Sequence, residues 1–232
     1  MNSKFLIFMQ LFYNSEIKKG DSNFFFDKEE SKHIVKVLRK NEGDKIFITN
    51  GLGFLFESEI IAASEKKCEI KITNETFQKP DTFYTHIAVA PTKMNDRLEW
   101  FLEKATEIGI HEITLIICEH SERKVYKIDR AEKIIQAAIK QSLHYYIPKI
   151  NEPISFTEFI KLNTEGQKFI AHCDETDKKS FQKELRKDEK VTILIGPEGD
   201  FSTKEINLAA ENNFIPVTLG TTRLRTETAA LV

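Results

Sequence analysis

The sequence predicts a small strand-rich barrel followed by an α/β domain built on a parallel sheet. Three observations carry this. Up to about residue 78 the apolar residues fall in short runs punctuated by turn residues. Beyond Gln78-Lys-Pro-Asp81, nearly continuous apolar runs alternate with amphipathic helical stretches. Hydrophobic residues make up 41% of the 232 and charged residues 30%, which fills a core, solvates its surface and excludes a disordered or collagen-like chain.

The first element is a strand within Lys4–Tyr13. The same run could pass for the core of a signal peptide, but no small-residue cleavage site comes after it; Asn14-Ser-Glu16 does, and Met9 is an alternative start. Phe24–Phe26, Lys45–Thr49, Gly53–Glu57 and Cys68–Thr73 are the next strands, with turns at Glu42-Gly43-Asp44 and Asn50-Gly51. One helix interrupts them, from about Lys28 to Arg39, with Asp27 as N-cap.

In the second half, His86–Ala90, Ile113–Cys118, Lys168–His172, Val191–Ile195 and Ile215–Leu219 read as buried parallel strands. Helices are expected at Asp96–Ile108, with Leu98, Phe101, Leu102, Ala105 and Ile108 on one stripe, and at Arg130–Tyr146, with Ile134, Ile135, Ala138, Ile139 and Leu143 on another.

Lysine and arginine total 34 against 36 acidic residues, for a net charge of −2. That balance argues against indiscriminate polyanion binding, which needs a broad basic surface, but it does not exclude a local basic patch. Cys68, Cys118 and Cys173 lie far apart with no metal-ligand spacing, so they read as reduced cytosolic thiols. No run approaches the roughly 18 apolar residues of a membrane span.

Two segments carry chemistry. In Val191–Glu205 a buried strand enters Gly196-Pro-Glu-Gly199, and Ser202-Thr-Lys-Glu205 forms a capping box that opens a helix. The glycines are expected to permit positive φ and close approach of a ligand. In Leu219–Val232 a strand again meets a glycine turn, with Arg223 and Arg225 around Leu224, and Thr226, Glu227 and Thr228 able to cap the next helix. Each segment alone could be an ordinary strand-to-helix connection. Two such loops after neighbouring strands point to a ligand site, because α/β sheets bind ligands at the carboxyl ends of their strands. Lys32, Lys36, Arg39 and Lys40 fall on one helical face, and Arg123, Lys124 and Lys127 form a second basic cluster; either is a solvated face or an RNA contact. Walker, HExxH and Gly-x-Ser-x-Gly motifs are absent, and Gly51-Leu-Gly53 lacks the third glycine of a dinucleotide fingerprint.

Laid out in order, His33-Ile-Val-Lys-Val-Leu-Arg39, Gly43-Asp44, Glu103–Gly109, Glu122-Arg123, Gln141-Ser142, Gly196–Gly199 and Leu224–Ala229 resemble the bacterial 16S rRNA uridine N3-methyltransferases. These belong to the trefoil-knotted, S-adenosylmethionine-dependent SPOUT class. The resemblance runs from about Met9 to the end. It departs at Asp200, where the family usually has glycine, at Thr222-Arg223 and at Leu143-His144.

The resemblance implies an RNA-binding PUA-like barrel over residues 1–78 and a knotted, dimerising methyltransferase domain over 79–232. It implies S-adenosylmethionine held by His172, Leu194, Ile195, Gly196, Pro197, Glu198, Gly199, Leu219, Gly220, Leu224, Thr228 and Ala229. RNA would meet Lys32, His33, Lys36, Arg39, Lys40 and Arg123. Methylation at N3 spreads charge onto the uracil oxygens, which a fixed cation stabilises; Arg225 is the first candidate and Arg123 the second, with Glu198 or Glu227 as base. The expected enzyme is a cytoplasmic homodimer acting on 16S rRNA of the small ribosomal subunit, with no metal and no membrane partner. A non-catalytic RNA-binding protein on the same fold is the alternative.

Overall fold

The structure, a computed structural model, describes residues 9–162, 165–174 and 177–232. The chain divides into two compact units. One is the chain up to Pro80 with Ile139–Ile147; the other is Asp81–Ala138 with Pro148–Val232.

The first unit holds β1 (Leu11–Tyr13), β2 (Asn23–Phe25), α1 (Lys28–Lys32), β3 (Lys45–Thr49), β4 (Phe54–Ala62) and β5 (Glu69–Phe77). They form a curled sheet in the order β1-β3-β4-β5-β2, parallel only between β1 and β3. The barrel is thus a half-barrel, with Phe12, Phe26, Ile34, Ile48, Phe56 and Ile70 filling its concave side. Of the N-terminal strand expected within Lys4–Tyr13, the part before Met9 lies outside the described residues. The segment 139–147 docks through backbone groups: Thr49 Oγ1 and Gly53 N both donate to the Tyr145 carbonyl, at 3.0 and 2.9 Å.

Asp27 caps α1 as expected, its Oδ1 accepting from Glu30 N at 2.8 Å. The helix does not continue regularly to Arg39. A π-helical turn occupies His33–Val37, with Leu38 N donating to His33 O, and Arg39 takes a left-handed φ of 55°. The expectation of one straight basic stripe is corrected accordingly, because its i, i+4, i+7, i+8 spacing assumed 3.6 residues per turn throughout. Lys32, Lys36 and Arg39 remain exposed, Lys40 is half-buried, and Val37 turns outward.

The second unit comprises β6 (Tyr84–Val89), α2 (Asn95–Ile108), β7 (Glu112–Ile117), α3 (Ile128–Ser142, of which the residues after Ala138 belong to the first unit), β8 (Lys149–Ser155), α4 (Phe156–Lys161) and β9 (Gln167–Ala171). It continues with β10 (Lys179–Ser180), α5 (Phe181–Glu184), β11 (Lys190–Ile195), α6 (Thr203–Glu211), β12 (Ile215–Thr218) and α7 (Thr226–Ala229). The sheet order is β10-β12-β9-β11-β6-β7-β8, and every pairing is parallel. Alternate residues of β11 feed opposite cores. Ile193 and Ile195 pack with Leu98, Phe101 and Phe169, whereas Leu194 packs with Ile116, Phe159 and Ile206. Both faces are covered, which is why these strands read as unbroken apolar runs.

The helix expected to reach Tyr146 stops at Ser142 because Leu143 adopts φ 60°. Strand β8 was not legible: it is an edge strand carrying Asn151, Glu152 and Pro153, and the register shifts between its pairs Thr114↔Asn151 and Ile116↔Ile154. Proline fits such an irregular edge.

Candidate functional site

Strands β12, β9 and β11 are neighbours, and the loops leaving their carboxyl ends enclose a cavity of about 500 Å³. Its wall is made by residues 171–173 with Lys178, by 195–200, and by 217–224 with Thr226 and Ala229.

The β11 loop is built as its sequence dictates. Asp200 N donates to Pro197 O at 2.9 Å to close the turn, and Ser202 and Glu205 complete the capping box at the start of α6. One expectation is corrected. Neither Gly196 nor Gly199 takes a positive φ; Asp200 does, at 63°. The glycines are required for space instead. A Cβ on Gly196 would lie 3.0 Å from the Phe201 ring, and one on Gly199 would lie 3.1 Å from His120 Cβ.

Cross-loop hydrogen bonds hold the walls together. Thr226 Oγ1, buried at the start of α7, donates to Gly196 O at 3.1 Å. Asp200 Oδ2 accepts from Cys173 N at 2.7 Å. Lys178 Nζ donates to the carbonyls of His172 and Asp174 at 3.1 and 2.7 Å. Glu198 Oε1 accepts from Lys93 N at 2.9 Å, steadying the loop after β6. Thr226 does not cap α7 with its side chain; the N-cap position is Arg225, whose side chain makes no capping bond.

His172 is the most telling residue in the wall. It is 7% exposed, and neither ring nitrogen has a hydrogen-bond partner among the described residues. Burial holds its pKa below the ordinary 6.5, with Lys178 acting the same way and Asp200 and Asp174 opposing. A neutral ring offers one donor and one acceptor. Leaving such groups buried and unpaired is costly, so they mark a place where a polar ligand completes the bonding.

Of the residues expected around the ligand, His172, Ile195, Gly196, Pro197, Glu198, Gly199, Leu219, Gly220, Leu224 and Ala229 line the cavity; Leu194 and Thr228 do not. Leu194 points into the opposite core. Arg225 is exposed, lies outside the lining, and makes no side-chain hydrogen bond or ion pair among the described residues. Arg123 donates from Nη2 to Lys93 O at 2.8 Å and from Nε to Thr92 O and Lys93 O, so its guanidinium is committed to backbone. Glu227 is buried; Oε1 lies 3.8 Å from Arg97 Nε and Oε2 has no partner among the described residues. His33 Nδ1 meets Glu30 Oε1 at 3.2 Å in the first unit. The cavity also recruits Cys173, Lys178, Thr218, Asp200 and Thr226, which sequence reasoning had not named as ligand-site residues. The rule that loops at the ends of parallel strands bind ligands could have found the first two.

A family model described as RNA methyltransferase domain matches residues 79–232, and one described as RNA methyltransferase PUA domain matches 26–73. The Bacillus subtilis ribosomal RNA small subunit methyltransferase E is 32% identical over 222 residues, spanning 88% of this chain and 84% of that protein. The chain belongs to the ribosomal RNA small subunit methyltransferase E family. Solved structures of comparable architecture agree with that membership. The crystal structure of a "probable rRNA-methyltransferase" from Porphyromonas gingivalis is 39% identical with a TM-score of 0.87, covering 96% of this chain and 94% of that one. The methyltransferase E of Neisseria gonorrhoeae, crystallised with S-adenosyl methionine, is 25% identical with a TM-score of 0.85 and the same coverage. The half-barrel followed by an all-parallel sheet of seven strands is the SPOUT methyltransferase architecture of this family.

Proposed function

We propose that this chain transfers the methyl group of S-adenosylmethionine to N3 of a uridine in 16S rRNA, acting as a cytoplasmic homodimer. Its family membership makes it an S-adenosylmethionine-dependent rRNA methyltransferase. The observation that carries the reading is the buried, unpartnered imidazole of His172 in the wall of a cavity at the carboxyl ends of β9, β11 and β12. The cavity volume falls in the range of about 300–1,000 Å³ usual for small-molecule sites. Carbonyl and amide groups of Ile195–Gly199 and Leu219–Leu224 supply directional polar contacts around an uncharged base, and His172 adds one donor and one acceptor. The bound cofactor supplies an electrophilic methyl on a sulfonium.

The chain's own residues then orient the uracil and handle its proton. N3 is weakly acidic, and its attack moves negative charge onto the ring oxygens. Arg225, exposed and uncommitted, is the guanidinium for that charge. Arg123 ranks behind it because its donors already serve the Thr92 and Lys93 carbonyls. Glu198 keeps one carboxylate oxygen on Lys93 N and has the other to accept the N3 proton, whereas Glu227 lies outside the cavity lining.

Exposed Lys32, Lys36 and Arg39, in the unit that carries the PUA match, give RNA its phosphate contacts, with His33 and Lys40 beside them. Exposed Trp100 and Ile108 on α2 favour a second copy. Three unpaired cysteines fit a reducing compartment, and no helix among the described residues is long and apolar enough to cross a membrane. The test is transfer of labelled methyl to small-subunit rRNA from a strain lacking the gene, with the product nucleoside identified by mass spectrometry. 3-Methyluridine is expected; label on any other nucleoside overturns the assignment.

A further inference from the structure

Asp200 stands where three loops of the second unit meet. Its backbone is left-handed, φ 63°, a conformation that glycine takes freely and that aspartate takes where its short side chain finds local hydrogen bonds. Its own carbonyl and that of Gly199 each accept from His120 Nδ1 at 3.1 Å, on the loop after β7. Both partners are carbonyls, so Nδ1 is the donor in this arrangement. The carboxylate bridges in the other direction. Oδ1 accepts from Phe201 N at 2.9 Å, and Oδ2 accepts from Cys173 N at 2.7 Å across 27 residues of sequence. Cys173 is the residue next after His172, and all three of His172, Cys173 and Asp200 line the cavity.

We propose that Asp200 is a positioning residue: its carboxylate ties the loop after β9 to the loop after β11 and so fixes the His172 ring relative to the Gly196–Gly199 backbone. A left-handed residue other than glycine persists only where its side chain or surroundings repay it. Here the side chain bonds two backbone amides, one of them next to the only wall residue whose buried ring atoms lack partners among the described residues. The charge acts on His172 as well. Burial and Lys178 favour the neutral ring, and Asp200 and Asp174 are the groups that favour the protonated one. The proposal rests on the cavity being the cofactor site.

The experiment uses the full chain and three variants, Asp200→Gly, Asp200→Asn and Asp200→Ala. S-adenosylhomocysteine is titrated by calorimetry, melting temperature is recorded, and the His172 ring is titrated by NMR. Glycine takes the left-handed backbone freely but removes the tie, so Kd should rise about 10-fold or more, the scale of one charge-assisted hydrogen bond, with melting temperature unchanged or higher. Asparagine tolerates the left-handed region and keeps an acceptor for Cys173 N, so its Kd should stay within about threefold. Its His172 pKa should fall, because a negative neighbour is gone. Alanine should lose affinity and stability together. Unchanged affinity in Asp200→Gly overturns the positioning role, and an unshifted His172 titration in Asp200→Asn overturns the effect of the charge on the ring. Affinity lost only in step with stability in Asp200→Gly also overturns it. Failure of the unaltered chain to bind S-adenosylhomocysteine overturns the cofactor reading itself and takes this proposal with it.

Discussion

Replacing His172 by leucine separates what the fold needs from what the ligand needs. In the free protein the imidazole is 7% exposed and both nitrogens lack partners among the described residues. Each unsatisfied buried polar group costs roughly 1–3 kcal/mol, and a swap of similar volume costs less than about 1.5 kcal/mol in packing. His172→Leu should therefore stabilise the free protein by about 1–2 kcal/mol. The ligand should lose a hydrogen bond worth about 0.5–1.5 kcal/mol and strand one of its own polar atoms, so Kd for S-adenosylhomocysteine should rise about 10- to 100-fold.

The pH dependence supplies an independent check. His172 is held below its ordinary 6.5, so the unfolded chain takes up the proton first as pH falls. Its contribution to stability is present above 6.5 and is lost as pH drops from there through the folded value. The leucine variant lacks this loss, and its margin over the unaltered chain should widen below pH 6.5. Urea unfolding across pH 5–8 and calorimetry at pH 7.5 measure both effects. A leucine variant that is less stable yet binds the ligand normally would refute the reasoning.

Arg225→Ala should lower single-turnover methyl transfer about 10²–10³-fold, and Arg225→Lys should recover little, while cofactor Kd and melting temperature hold, since the side chain is exposed and makes no hydrogen bond or ion pair among the described residues. A normal rate removes Arg225 from the mechanism. Gly199→Val should abolish measurable binding of S-adenosylhomocysteine, because the new Cβ would already crowd His120 at 3.1 Å; retained binding would show that the loop yields. Reversing Lys32 and Lys36 to glutamate should weaken RNA binding and flatten its salt dependence without altering cofactor Kd. Salt dependence identical to the unaltered chain would leave both as solvated surface.

Much of the site was legible because it obeys local rules. Asp27 and the Ser202–Glu205 box cap their helices as residue type and spacing require, and the two glycine loops leave adjacent parallel strands. The features that escaped depend on contacts remote in sequence. Nothing in Gly-Pro-Glu-Gly announces that its glycines make room for Phe201 and His120 while Asp200 takes the left-handed position. Thr226 read as a helix cap and Asp200 only as a departure from the family's glycine, yet each bonds a loop about 30 residues away. The π-turn at His33–Val37 escaped for a different reason: apolar periodicity assumes one winding, and the widened turn buries Ile34 while turning Val37 outward.

A crystal structure with S-adenosylhomocysteine decides whether the cavity at the ends of β9, β11 and β12 holds the methyl donor. The ligand should lie between the 195–200 and 217–224 segments, with one of its polar atoms, directly or through one water, within hydrogen-bond reach of a His172 ring nitrogen. A ligand bound elsewhere, or a His172 ring still unpartnered beside it, would contradict the claim.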